Sequence, residues 1–243
     1  MEKYAYIGSG LVLMRKAGEK SPMRAVGNCS ELSVSFSTND KTLTDFTQAG
    51  GGVYASVSRI ESIEVKMKLH DMSPENLAMV LFGDATKITG SEVSGEKQIA
   101  KPNSFVATDK MAKSISSLKS GGKELIENKD FFFSRGVIEF ENSDNIKPEG
   151  TEIEINYKSE DTSIIEAITT SGGTYELFFA GMNEVRDGKK VNVRIFAVKV
   201  GAAQDLSFIG EDFAAIDVTG TALRKTGAVG AGKSAYFNVV IQD

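Results

Sequence analysis

Apolar and polar residues alternate along two segments in the first third of the chain, which is the pattern of β-strands with one buried face. The first strand, Glu31–Ser37, places Leu32, Val34 and Phe36 on one face and Ser33, Ser35 and Ser37 on the other. In the second strand, which ends at Leu69, the alternating sets are Ile63, Val65, Met67 and Leu69 against Ser62, Glu64, Lys66 and Lys68. The segment Thr38–Gly52 between them is too long and too polar for a tight turn. The pattern therefore predicts a long hairpin whose polar loop reaches beyond its own subunit.

A short helix is predicted at about residues 73–82. Ser73 is in the N-cap position, Pro74 is the first helical residue, and Glu75 is in the first turn, where the helix dipole favours a carboxylate. An apolar stripe at helical spacing follows, with a glycine as the C-terminal cap: Leu77, Val80, Leu81 and then Gly83. We expect this helix to pack on one face of a sheet.

Short strand patterns follow one another from Phe105 to the end of the chain, separated by turns such as Ser120-Gly121-Gly122. The predicted strands are Ser114–Leu118, Phe131–Phe133, Gly136–Glu141, Glu152–Lys158, Ser163–Thr169, Thr174–Ala180, Val191–Val200, Leu206–Phe208, Phe213–Leu223 and Ala235–Ile241. Such a succession predicts a mostly β fold, a β-barrel or sandwich with one short flanking helix.

The domain organisation predicted from these patterns has an N-terminal arm or edge segment at residues 1–28, outside the core, and a β domain at residues 29–243. Gly83–Ser104 is polar and predicts a loop with at most one short strand. Residues 84–160 are a possible inserted β region.

The composition removes several function classes. The net charge of −5 argues against bulk attraction to nucleic-acid phosphates. Cys29 is the only cysteine, so neither an internal disulfide nor a thiolate metal cage can form. His70 is the only histidine. These absences weaken most hydrolase and metal-site interpretations, and we predict neither a metal nor a cofactor.

The motif Gly227-Ala228-Val229-Gly230-Ala231-Gly232-Lys233-Ser234 matches the phosphate-binding loop pattern. Such a loop must open a helix whose N-terminus holds the phosphates. The residues that follow, Ala235–Ile241, are rich in β-formers, and little chain remains for a parallel α/β domain. We interpret the motif as a flexible loop before a terminal strand, and a nucleotide hydrolase that uses Lys233 as a minor third hypothesis.

Two other groups of titratable residues are explained more simply by structural roles than by catalysis. His70 precedes Asp71, but no nucleophile is marked beside this pair, and a hydrogen-bonding histidine in the turn before the helix explains it. The acidic pairs lie two residues apart on strands, where a solvated strand face explains them: Glu139 with Glu141, and Glu152 with Glu154.

Several segments, in their order and spacing, carry a family resemblance. They are Gly27-Asn28, Leu32–Phe36, Lys41-Thr42-Leu43, Gly50-Gly51-Gly52, Ser58–Ile60, Leu69–Asp71, Ser73–Leu77, Leu177–Asn183 and Asp205–Phe213. Together they resemble the tail tube proteins, or major tail proteins, of bacteriophages with long, non-contractile tails. The resemblance covers most of the chain, and Gly83–Thr162 matches least well.

The resemblance implies a structural virion protein that self-assembles into stacked hexameric rings. The rings form the phage tail tube, the conduit for DNA ejection, with other tail proteins at its ends. Inner sheets of neighbouring subunits would join into one barrel around the lumen. Double-stranded DNA would pass through without specific binding. The protein would be assembled in the bacterial host cytoplasm and reside in the viral tail, with no membrane partner and no catalytic residue.

This role assigns the hairpin two surfaces. The lumen-lining residues are Ser33, Ser35, Ser62, Glu64, Lys66 and Lys68. The inter-ring loop contains Asn39, Asp40, Lys41, Asp45, Gly50, Gly51 and Gly52. A polar wall of mixed charge suits a conduit, because each phosphate contact would add salt-dependent affinity for DNA. The alternative is a β-sandwich adhesin or a capsid-decoration binding module.

Overall fold

The computed structural model describes residues 4–227 and 230–243. They are mostly β, as predicted, with one short α-helix and a 3₁₀ turn at Glu184–Arg186. The strands are β1 (Gly8–Lys16), β2 (Arg24–Ala25), β3 (Cys29–Thr44), β4 (Val53–Leu69), β5 (Asp84–Ile88), β6 (Glu92–Ala100), β7 (Ser104–Ala107), β8 (Ala112–Ser120), β9 (Lys123–Glu124), β10 (Phe131–Ser134), β11 (Val137–Phe140), β12 (Thr151–Ser159), β13 (Thr162–Glu166), β14 (Thr174–Asn183), β15 (Lys189–Val200), β16 (Ile216–Ala222) and β17 (Phe237–Ile241). The helix α1 spans Pro74–Val80.

The chain divides into two compact units. The first contains Met1–Ala85 and Ile165–Asp243, and the second contains Thr86–Ile164, where the possible insertion was placed at residues 84–160. The unit boundaries fall within β5 and β13, which pair as a two-stranded sheet.

The first unit is built on one eight-stranded sheet with the order β2-β1-β14-β15-β16-β4-β3, and all its neighbouring strands are antiparallel. The sheet divides at β15. The N-terminal half of β15 pairs with β17 over Val191–Ile195, and its C-terminal end pairs with β16 over Val198–Val200. Both branches contribute to one core cluster, which also includes Met79 and Val80 of α1.

The N-terminal segment contributes to this core. Val12, Met14 and Val26 are buried in the cluster, and β1 pairs with β14 over its whole length. The prediction that residues 1–28 lie outside the core is therefore wrong for these side chains. Their alternation was broken by glycines and serines, which made the segment look irregular.

The predicted loop at Gly83–Ser104 is also wrong, because it contains β5 and the nine-residue β6. β6 is an edge strand of the sheet β6-β12-β8-β9 in the second unit. Its backbone pairs with β12, so the strand needs few apolar side chains of its own. The segments Leu206–Phe208 and Phe213–Ala215, predicted as strand, are irregular.

The ends of α1 are fixed by local hydrogen bonds. The side chain of Ser73 accepts a hydrogen bond from the backbone N–H of Asn76 at 3.2 Å. At the other end, Phe82 is left-handed (φ 53°) and the N–H of Gly83 donates to the carbonyl of Ala78. The left-handed cap position therefore belongs to Phe82 and not to Gly83. Gly83 instead lies against the backbone carbonyl of Glu166, where a β-carbon would collide.

Asn76 fastens the helix to the chain around it. Its side-chain amide is fully buried and donates to the carbonyls of Val26 and Asp71, each at 2.8 Å. Its Oδ1 accepts from the guanidinium of Arg24 at 2.8 Å. These bonds fix α1 against the end of β2 and the end of β4.

The second unit has its own apolar core, which draws on two sheets, β6-β12-β8-β9 and β10-β11-β7. The carboxylate of Asp130 lies beside this core and accepts hydrogen bonds from Ser143 Oγ, Asn145 Nδ2 and the N–H of Ile126. These bonds, with that from Ser143 foremost, lower the pKa of Asp130.

Candidate functional site

The hairpin β3–β4 carries one continuous polar face. The register pairs Ser33 with Lys66, Ser35 with Glu64 and Glu31 with Lys68. Ser62 lies opposite Ser37. The six residues predicted to line the lumen therefore share one face of the sheet, while Ile63, Val65, Met67 and Leu69 on the opposite face enter the core.

The charges on this polar face are exposed and nearly balanced. Lys66 Nζ lies 3.9 Å from Glu64 Oε1, and both side chains are about half exposed. Such an ion pair stabilises the fold by less than about 1 kcal/mol. Ser33 Oγ donates a hydrogen bond to Glu31 at 2.9 Å. The face has a surface of hydroxyls and paired charges, not a basic patch.

Strand β16 extends the polar face beyond the predicted residues. The register pairs Asp217 with Lys68, Thr219 with Lys66 and Thr221 with Glu64. Ile216, Val218 and Ala222 alternate with them and are buried. The alternation in residues 216–222 was visible in the sequence, but nothing in it placed this strand beside β4, because more than 140 residues separate them.

The hairpin tip differs from the predicted loop. Asn39, Asp40 and Lys41 belong to β3 and pair with Arg59, Ser58 and Val57 of β4. Only Asp45–Gly52 turns the chain. The polar composition had suggested a loop, but both faces of this part of the ribbon are exposed, so its strands need no apolar alternation.

The turn at the tip is ordered by its own hydrogen bonds. The Asp45 carboxylate accepts from the side chain and the N–H of Thr47, at 2.6 and 2.8 Å, and these bonds lower the pKa of Asp45. The Asp45 N–H donates to the carbonyl of Gly52 at 2.7 Å. Gly50, Gly51 and Gly52 have φ values of 104°, 69° and 151°, which side chains disfavour. The glycine triplet thus closes the hairpin end.

The outer half of the hairpin is a two-stranded ribbon with exposed apolar side chains. Phe46 is 84% exposed and Tyr54 67% exposed, and further exposed residues are Leu43, Val53, Val57 and Ile60. A two-stranded ribbon alone is marginally stable in water. A ribbon with this surface gains stability when another surface covers it.

The other long edge of β3 has no neighbouring strand among the described residues. Beside it lies an apolar cavity of about 530 Å³, which we call the β3 groove. Its walls include Leu32 and Val34 of β3, Val191 and Val193 of β15, and Val239 and Ile241 of β17. β4 contributes none of the described lining residues, so the groove lies on the side of β3 that faces away from β4.

Arg186 and Cys29 are among the polar residues of the β3 groove. Arg186 lies in its lining, with the guanidinium 4.8 Å from the ring of Tyr4. Cys29 is also in the lining and is half-buried, and its Sγ donates to the carbonyl of Glu31 at 3.0 Å. Burial raises the pKa of the Cys29 thiol.

The residues and motifs considered for chemistry have the following surroundings in the described part of the chain. His70 Nε2 lies 2.8 Å from Ser30 Oγ, which is the hydrogen-bonding role expected of it. Glu152 forms an exposed ion pair with Lys97 at 2.9 Å. In the glycine-rich motif, Ala228 and Val229 lie outside the described residues, and β17 follows the motif where a phosphate-binding loop would have a helix. No metal-binding group of side chains occurs within residues 4–227 and 230–243.

Comparison with known protein families matches residues 5–240 to the family described as protein of unknown function UCP028589. The match spans nearly the whole chain, so the protein belongs to this family. No curated protein matches the chain. Across residues 4–227 and 230–243, no helix has both the length and the apolar character needed to cross a membrane.

Proposed function

We propose that this protein is the tail tube subunit, or major tail protein, of a bacteriophage with a long, non-contractile tail. In this role it is a structural virion protein that self-assembles into hexameric rings, and the rings stack into the tube through which DNA is ejected. The observation that carries the proposal is the β3–β4 hairpin, which combines a polar face, an unpaired edge and a protruding apolar ribbon.

The polar face suits a lumen wall. Across β3, β4 and β16 it presents three carboxylates and two ammonium groups among hydroxyls: Glu31, Glu64 and Asp217 with Lys66 and Lys68. A surface of near-zero net charge releases few counterions when DNA approaches, so it has little affinity for the duplex. DNA would therefore slide past this wall.

The unpaired edge of β3 suits a joint between subunits. β16 and β3 both run antiparallel to β4, so they run in the same direction. β16 pairs with β15 only at Gly220–Ala222, which leaves the first part of its other edge open among the described residues. Copies related by rotation about a tube axis keep their strand directions. The β3 edge of one copy would then meet β16 of the next copy and extend the sheet through a parallel pairing.

The finer architecture that we propose follows from these joints. The two branches of the sheet that part at β15 form a sandwich around the common core. The branch β16-β4-β3 faces inward, and six copies of it close into a barrel around the lumen. Closure of this kind removes the exposed edges that would otherwise promote uncontrolled aggregation.

The ribbon suits a contact between stacked rings. Thr38–Thr44 extends the hairpin by about 23 Å at 3.3 Å per residue. Its exposed apolar residues would be buried against the next ring, with Asn39, Asp40, Lys41, Asp45 and Gly50–Gly52 in the contact region.

A shortened hairpin tests this proposal. Asn39 and Arg59 are cross-strand partners, so Asp40–Ser58 can be replaced by an Asn-Gly turn that closes the ribbon without leaving an unpaired strand. Sedimentation velocity should show concentration-dependent assembly of the unmodified protein into particles far larger than a hexamer. The shortened variant should remain folded by circular dichroism and should sediment no faster than a single ring. Long assemblies from the shortened variant would contradict the role of the ribbon.

A further inference from the structure

A second exposed apolar feature lies between β15 and β16. The segment Asp205–Phe213, which we call the acidic loop, belongs to no strand. Leu206 packs against the core of the first unit and anchors one end. Phe208 is 78% exposed, Ile209 96% and Phe213 98%. Three large apolar side chains in so short a segment mark an interaction surface.

The acidic loop and the β3 groove complement each other. The loop supplies apolar side chains and three carboxylates, Asp205, Glu211 and Asp212, and residues 201–223 contain no lysine or arginine. The groove supplies an open apolar cavity of about 530 Å³ with the guanidinium of Arg186 in its lining. Apolar insertion with acidic residues near a guanidinium is a favourable combination for association.

The topology explains why the acidic loop does not dock in the β3 groove of its own copy. β16 and β3 flank β4 on opposite sides, the acidic loop leads directly into β16, and the groove lies beyond β3. A contact between the opposite edges of identical subunits is head-to-tail, and such contacts close into rings when the rotation permits.

We propose that the acidic loop of one copy docks in the β3 groove of the next copy and forms the side-by-side contact within a ring. This inference rests on the proposed self-assembling function and adds which surfaces meet. The partner is a second copy of this chain, and Phe208, Ile209 and Phe213 are the side chains that enter the groove.

The native cysteine provides a direct test. Cys29 is the only cysteine of the chain and lies in the lining of the groove. The variant Ile209→Cys places a second thiol on the loop of the neighbouring copy. Assembled protein is treated with a short bismaleimide at mildly alkaline pH and separated on a denaturing gel. We expect a ladder of covalent oligomers from Ile209→Cys.

Two matched variants serve as controls. Ile168→Cys replaces the same residue type at 86% exposure but lies outside the loop, and it should give no ladder. The double variant Cys29→Ser with Ile209→Cys should also give none, because the groove thiol is missing. Assemblies of Ile209→Cys that contain only uncross-linked chains, or an equal ladder from Ile168→Cys, would overturn the docking proposal.

An assembly measurement covers the case in which the cysteine variant does not assemble. Ile209→Asp should raise the concentration needed for assembly at least tenfold, while Ile168→Asp should leave it within twofold. Equal effects of the two substitutions, or no effect of either, would overturn the docking proposal. Failure of the unmodified chain to assemble at any concentration would instead contradict the proposed function itself.

Discussion

Ser33 of β3 lies directly opposite Lys66 of β4 on the exposed face of the hairpin. Because successive strand residues alternate between faces, this single register pair fixes the sides of the others. In this register the serines and charged residues lie on one surface, and the apolar residues lie in the core. A shift of the register by one residue would bury the lysines, so the core and the polar face specify the same alignment.

Added lysines on the polar face should turn an inert wall into a DNA-binding one. In the variant Ser33→Lys with Thr219→Lys, each subunit gains two positive charges beside Lys66. Assembled variant protein should retain short double-stranded DNA in a filter-binding measurement, with an affinity that falls steeply as salt rises. Unmodified assemblies should retain little DNA under the same conditions.

The control for this measurement is Ser94→Lys with Ser116→Lys, which adds the same two charges at exposed positions of β6 and β8. It changes the total charge without changing the polar face. If it increases DNA retention as much as the double variant does, the polar face has no special relation to DNA.

Removal of the buried amide of Asn76 should loosen α1. In Asn76→Ala the carbonyls of Val26 and Asp71 lose the hydrogen bonds from the buried amide, and the Arg24 guanidinium loses one of its acceptors. We expect a loss of about 2–4 kcal/mol in the free energy of unfolding. Urea denaturation measures it. Ser73→Ala, which removes one cap bond, should cost about 1 kcal/mol, and Gln48→Ala in the exposed turn should cost almost nothing. An Asn76→Ala loss no larger than that of Ser73→Ala would contradict this account.

The stability of the second unit should depend on the ionisation of Asp130. Hydrogen bonds hold its folded-state pKa below the unfolded value of about 3.9. The stabilising effect is therefore fully present above about pH 4 and is lost as the pH falls through the folded-state pKa. Unfolding of Asp130→Asn should vary less with pH in this acid range, and the variant should be less stable at pH 7.

The neighbouring exposed residue supplies the comparison for Asp130. Asp144→Asn removes an acid that is exposed to solvent, and it should leave the acid profile nearly unchanged. If the free energies of unfolding of Asp130→Asn and the unmodified protein change in parallel between pH 2 and pH 5, ionisation of Asp130 does not cause the loss of stability in acid.

The local patterns of the sequence predicted much of the fold. The alternation around Val34 and Val65 identified both strands of the hairpin, and the sequence Ser73-Pro74 located the start of α1. These features depend on residues close together in the chain, whose side chains must satisfy one strand face or one helix end. The shared polar face of Ser33, Ser35, Ser62, Glu64, Lys66 and Lys68 was predicted for the same reason.

Features that depend on pairing partners were missed. Asn39–Lys41 was predicted to be a loop because its polar residues give no apolar face. These residues nevertheless form a strand, because their backbone pairs with β4. β6 was missed for the same reason. Asp217 and Thr219 joined the polar face only through pairing with β4, and the β3 groove requires residues from five strands, β1, β3, β14, β15 and β17. No local pattern encodes such neighbours.

Negative-stain electron microscopy of the purified protein over a range of concentrations tests the central proposal most directly. The account predicts rings and, at high concentration, hollow tubes with six-fold end views. The variant with Asp40–Ser58 replaced by Asn-Gly should yield at most single rings in the same preparation. A protein that stays monomeric at every concentration, and that instead binds a glycan or a capsid surface, would contradict the account.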